Sequence, residues 1–182
     1  AIVTDLLQNG VYTETALRQS GQRVYGAHAR NLELPPGPFG EADLERILEK
    51  LLEGFRQWSP HLSGSFGTHQ CRLTLDDSAA GLVMDASFPL HRESAGGVEL
   101  VEQGSTGGDA GVMSFLYAVV LRASGEQRKI QTSILHGKGI KVFEIAPIAA
   151  LDARRYLLLI SRDLLSANAT FIPLGLLEGQ RL

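Results

Sequence analysis

The chain has 182 residues, a mass of 19.7 kDa, and 17 basic against 20 acidic side chains, for a formal net charge of −3. That balance argues against a phosphate-backbone binder, which carries a basic excess or stripe. Hydrophobic residues make up 44% and charged residues 20% of the chain, the composition of a globular domain with an ordinary core.

The length lies within the usual single-domain range and predicts one domain over 1–182, with no internal repeat or linker. Its densest basic stretch, Arg122, Arg128, Lys129, Lys138 and Lys141, reads as a solvated face rather than a nucleic-acid patch. Cys71 is the single cysteine, so no intrachain disulfide can form, which fits a reducing, cytoplasmic compartment. The opening AIVTDLLQNG shows neither the basic nor the apolar region of a signal peptide. The longest apolar run, Tyr156 to Ile160, falls far short of the ~20 residues that cross a bilayer.

Residues 1–9 suit a short helical turn closed by Asn9-Gly10. The following stretch carries Val, Tyr and Thr and is interrupted at Ser20-Gly21, which predicts a hairpin over 11–33 with strands near 11–18 and 23–33. Pro35-Pro36-Gly37-Pro38 ends it, because proline cannot donate to a strand ladder.

The plainest pattern follows. Leu44, Ile47, Leu48, Leu51, Leu52, Phe55 and Trp58 recur at three and four residues, a single apolar stripe on a helix spanning 41–58. Glu41 and Asp43 stand in its first turn, where the helix dipole favours negative charge. Downstream the period shortens to two. His69, Cys71, Leu73 and Leu75 share one strand face, and Leu82, Met84, Ala86 and Phe88 share another. Val98 to Glu102 forms a short strand, and the doubly apolar MSFLYAVVL (113–121) suits a central strand. RKIQTSILH and IKVFEIAPI follow as a turn-linked pair, and RYLLLIS is read as a buried strand, with a helix over about 147–165 as the alternative. The expected architecture is therefore α+β: a curved, mainly antiparallel sheet or partly closed barrel, with strands over 69–162, packed on one long amphipathic helix.

Chemistry is sparse. His69 and Cys71 share a strand face and could ligate zinc, yet the spacing matches no closed motif and Asp85 or His91 would have to complete the set, so no metal and no cofactor are expected. A Cys–His nucleophilic pair is opposed by the i, i+2 separation of ~7 Å along a strand. The remaining catalytic candidates are His91 and His136, and Arg72 and Arg122 could orient a substrate anion. The glycine-dense segment around Gly104, Gly107 and Gly108 lacks the Gly-Lys-Ser/Thr ending of a phosphate loop and runs into an expected strand. It reads as a hairpin loop available for contacts. The segment 168–182, with Phe171, Ile172, Leu174, Leu176 and Leu177, is too broken for a helix and too apolar for a solvated tail, so it either packs over the domain's own core or docks onto a neighbouring subunit.

With no catalytic constellation and several surfaces suited to contact, the sequence points to a non-catalytic interaction or assembly module. Its expected partner is itself or another protein subunit, with neither nucleic acid nor membrane insertion. Tube and ring subunits share this outline, an analogy of architecture alone. The alternatives are a small enzyme with a pocket between sheet and helix, acting on a small carboxylate or aromatic substrate, and a carrier of an apolar ligand.

Overall fold

The computed structural model describes residues 1–31, 37–75, 81–104, 111–137 and 139–165. Helix α1 (Ile2–Asn9) ends on Gly10, whose left-handed backbone lets its N–H return to the Leu6 carbonyl. Helix α2 (Glu14–Arg30) starts at Thr13, whose hydroxyl accepts from the Ala16 N–H. Helix α3 (Pro38–Trp58) carries the apolar stripe read from the sequence and passes into a 3₁₀ turn at Ser59–His61. Strands β1 (Gly67–Thr74), β2 (Val83–Ser94) and β3 (Gly97–Gln103) follow. Then come helix α4 (Val112–Ala123), strands β4 (Lys129–His136) and β5 (Gly139–Ile145), and helix α5 (Ala150–Leu165).

The fold is thus a mixed α+β arrangement of five helices and a five-stranded sheet among the described residues. The sheet keeps the order β1-β2-β3-β4-β5 and is open, not a closed barrel. Only β3 and β4 run parallel, and α4 is the crossover that parallel strands require. The remaining pairs are antiparallel. Side-chain alternation along β3 separates two helical layers. Glu102 reaches α4, whereas the adjacent Gln103 lies beside residues of α1 and α3. Leu6, Leu7, Leu17, Leu48, Leu100, Ile130 and Leu135 are fully buried at the centre.

Three sequence expectations are corrected here. The hairpin over 11–33 is helix α2. Its few β-formers (Thr15, Val24, Tyr25) are scattered among Glu14, Ala16, Leu17, Arg18 and Gln19, which favour a helix. The Ser20-Gly21 pair marks close helix packing rather than a turn: a Cβ on Gly21 would lie 2.8 Å from a Leu48 methyl of α3. The expected strand at 113–121 is helix α4, apolar on every side and buried throughout from Tyr117 to Ala123, so it displays no helical period. RYLLLIS belongs to helix α5, as in the alternative reading of a helix over about 147–165 rather than the preferred strand, and Ala153 and Leu157 pack with Val119, Val120 and Ala123 of α4. With 113–121 and 156–162 helical, the antiparallel run expected over 69–162 reduces to five strands interrupted by α4, and the single expected helix becomes five.

One glycine is dictated by a close approach. Gly97 opens β3 after the Ala95-Gly96 turn at φ 142°, and a Cβ there would sit 2.1 Å from the Lys129 carbonyl oxygen of β4.

Candidate functional site

The site forms where β1 and β2 pass beneath α4. In the β1–β2 ladder Gly67 pairs with His91 and His69 with Phe88. Two residues advanced along β1 therefore match three along β2, and the surplus falls in Pro89-Leu90. Proline is admitted to sheets at such bulges because it lacks the donor a regular ladder demands. The surplus residue resets the alternation, so Phe88 and His91 both turn toward Tyr117 of α4. The Phe88 ring stacks on Tyr117 at 5.0 Å, and the His91 ring meets it edge-on at 6.4 Å.

His69 joins them from β1. Its ring stacks on His91 at 4.4 Å with an interplanar angle of 21°, and its Nδ1 hydrogen-bonds the Tyr117 hydroxyl. Glu93 lies two residues beyond His91 on the same face, anchored by Arg128, whose guanidinium reaches it at 2.9 Å and also holds Glu126. One ligand atom each from His69, His91 and Glu93 lie within 4.8 Å of one another. They are the cluster of metal-ligating side chains found among the described residues.

The electrostatics follow from burial. His91 is only 7% exposed, and its Nε2 has no hydrogen-bond partner among the described residues. Desolvation, with the neighbouring His69 second, pushes its pKa below the ordinary value of 6.5 and favours the neutral imidazole. Burial is also the largest cause that lifts the Tyr117 phenol to about 12, with Cys71 and Glu93 adding to it, so Tyr117 stays protonated. The Arg128 hydrogen bond holds Glu93 below the usual carboxylate range.

Other sequence candidates disperse. Cys71 is half-buried on β1, packed with the α4–α5 cluster rather than with the ligand group. Arg72 is exposed and pairs with Asp85 across the β1–β2 ladder at 3.5 Å. Arg122 is buried at the end of α4, where it donates to the Glu126 and Arg128 carbonyls and fixes the approach to β4. His136 closes β4, with two strands between it and β1, beside Trp58 and Gly54. Gly104 donates its N–H to the Leu135 carbonyl. Gly107, Gly108, Phe171, Ile172, Leu174, Leu176 and Leu177 lie outside the described residues.

Reading the glycine segment as one that runs into a strand is also corrected: a helix N-terminus follows it. Glu102 occupies that position, accepting from the Gly111 N–H at 3.1 Å and the Ser114 N–H at 2.9 Å. A carboxylate of the chain itself thus fills the place an anion would take. Tyr117 and Glu93 were not selected from sequence. The i, i+2 spacing of His91 and Glu93 is the one signal that could have placed them on a shared strand face, whereas Tyr117 gives none while its segment reads as a strand.

Two apolar surfaces stand apart from this site. Strand β5 ends the sheet, and among the described residues it hydrogen-bonds β4 alone. It exposes Val142 at 52% and Phe143 at 43%, on opposite faces. A cleft of about 380 Å³ opens between α1, α2 and α3, lined by Ile2, Val3, Val24, Leu44, Ile47 and Leu51. No described helix is long and apolar enough to cross a membrane.

No family model and no curated protein matches the chain. Among solved structures, the crystal structure of SSO0001 aligns over 92% of this chain and 76% of that one, at 17% identity and a TM-score of 0.43.

Proposed function

We propose that this chain is a non-catalytic interaction module that assembles with further copies of itself through the open edge of β5. The observation that carries the reading is β5: a terminal strand with an unpaired outer backbone among the described residues and apolar side chains exposed on both faces. An edge of this kind offers a row of N–H and C=O groups to an added strand, and alternate side chains supply specificity. A two-fold axis normal to the sheet sets residues of the same face opposite each other. Val142 then meets Val142 of the second copy, or Phe143 meets Phe143, in an isologous contact. Lys141 and Glu144 flank these residues. Glu144 already pairs with Lys129 at 2.7 Å, which leaves the centre of the strand apolar. The lone Cys71 keeps the reading within a reducing, cytoplasmic setting.

The test is the mass in solution of the wild-type chain and of Val142→Lys and Phe143→Lys variants. Edge charges of this kind oppose strand addition without touching the core. The reading predicts an oligomer that both substitutions dissociate. A monomer at all concentrations, or an oligomer indifferent to both, contradicts it.

A second reading has its own observation. The cleft between α1, α2 and α3 is apolar at its walls, and its charged lining residues Asp43 and Arg46 pair with each other at 3.1 Å on the solvent-exposed side. That favours a carrier of an apolar ligand over an enzyme. Saturable quenching of Tyr25, which lines the cleft, by an apolar fluorophore would support it.

A further inference from the structure

We propose that His69, His91 and Glu93 form a binding site for a borderline first-row transition-metal dication, of the zinc or cobalt class. The site is independent of assembly through β5. Two imidazoles and one carboxylate are the donor set such ions take, and three protein ligands leave an open position on the metal.

Four features of the structure converge on it. One ligand atom from each residue already lies within 4.8 Å of the other two. A tetrahedral ion with bonds of ~2.1 Å needs ligand atoms roughly 3.4 Å apart, so closure takes side-chain rotation rather than backbone movement. His91 is buried with an unpartnered Nε2, and a buried imidazole nitrogen without a partner leaves an uncompensated desolvation cost that a metal bond would remove. The Pro89-Leu90 bulge aims that ring toward α4 on a rigid strand, and strand bulges commonly re-aim side chains at functional sites.

The fourth feature is outer-shell support. Metal-bound histidines characteristically donate the second ring nitrogen to a fixed acceptor. In the tautomer whose Nδ1 donates to the Tyr117 hydroxyl, Nε2 of His69 carries the lone pair that a metal takes. Arg128 holds the Glu93 carboxylate in the same way, at 2.9 Å. Neutral imidazole and ionised carboxylate are the states a metal requires. Cys71 lies outside the ligand group, and so the site is a nitrogen–oxygen one without thiolate.

The experiment is titration of the untagged full chain with Co²⁺ and with Zn²⁺, read by calorimetry and by the visible absorption of bound Co²⁺. The expected result is one saturable site per chain. His69→Ala, His91→Asn and Glu93→Gln each weaken it by at least ~100-fold, and Tyr117→Phe, which keeps the ring and removes the outer-shell hydroxyl, weakens it by about 10–100-fold. Circular dichroism separates loss of binding from loss of fold. Glu93→Gln, at an exposed position, keeps the test usable if His91→Asn does not fold. Absence of a saturable site in the wild-type chain overturns the proposal. So does a site whose affinity survives His69→Ala or Glu93→Gln, since the ion is then held elsewhere.

Discussion

Phe88 and His91 stand three residues apart on β2 and nevertheless both face Tyr117, because the strand gains a residue at Pro89-Leu90. A regular strand would have sent one of the two to the opposite face. This irregularity brings the buried His91 under α4 beside Tyr117 and contributes to how α4 is anchored.

The anchoring is measurable at Tyr117. Its ring is buried and its hydroxyl bonds His69. Tyr117→Phe should cost about 1 kcal/mol, the net worth of one hydrogen bond, and Tyr117→Ala about 3–5 kcal/mol as the cavity is left open. Urea denaturation of the two variants distinguishes these magnitudes, and equal losses would show that the hydroxyl, not the packing of the ring, dominates.

A second prediction concerns the start of α4. Glu102 satisfies the Gly111 and Ser114 N–H groups and also bonds the buried Ser114 hydroxyl. Glu102→Ala leaves these donors without their acceptor and should destabilise by about 1–3 kcal/mol. Hydrogen exchange should quicken first at the amino end of α4. Unchanged protection there would mean that the cap contributes little.

Gly97→Ala tests the β3–β4 approach. The backbone φ of 142° and the Lys129 carbonyl oxygen, 2.1 Å from the place a Cβ would occupy, both oppose a side chain. The loss should exceed ~1 kcal/mol, the opposite sign to the gain that glycine-to-alanine brings at compatible sites. A thermal melt at or above the wild-type midpoint would refute this.

Stability should fall with acid in two stages. The folded-state pKa of His91 is depressed below 6.5, so as pH drops below that value the unfolded chain takes up a proton that the native chain resists. Glu126 is held at about 2, chiefly by its Arg128 hydrogen bond, against an ordinary 4.5. Its contribution is complete above about pH 4.5 and is lost as pH falls toward 2. His91→Gln should flatten the upper stage and Glu126→Gln the lower one in denaturation series across pH. A profile unaltered by both substitutions would assign acid sensitivity to other groups.

The sequence was most legible where one face is buried and the other wet. Helix α3 showed its stripe from Leu44 to Trp58, and β4 and β5 fall where alternating residues placed strands. Legibility failed where burial removes the pattern. Helix α4, with Tyr117 through Ala123 all buried, gave an unbroken apolar run that periodicity cannot assign. Helix α2 failed differently, since Gly21 sits within it to admit Leu48 and not to turn the chain. The site is affected by the first of these. His69 and His91 were visible as residue types, but their meeting depends on a bulge, and Tyr117 depends on the α4 assignment. Nothing in the sequence pairs Glu93 with either histidine.

Assembly through β5 is tested most directly by light scattering across a concentration series of the wild-type chain alongside Phe143→Lys. The expected result is a wild-type mass at a stable multiple of 19.7 kDa and a variant that runs at the mass of a single chain. A wild-type mass of one chain throughout, or a multiple that Phe143→Lys and Val142→Lys both leave intact, would contradict it.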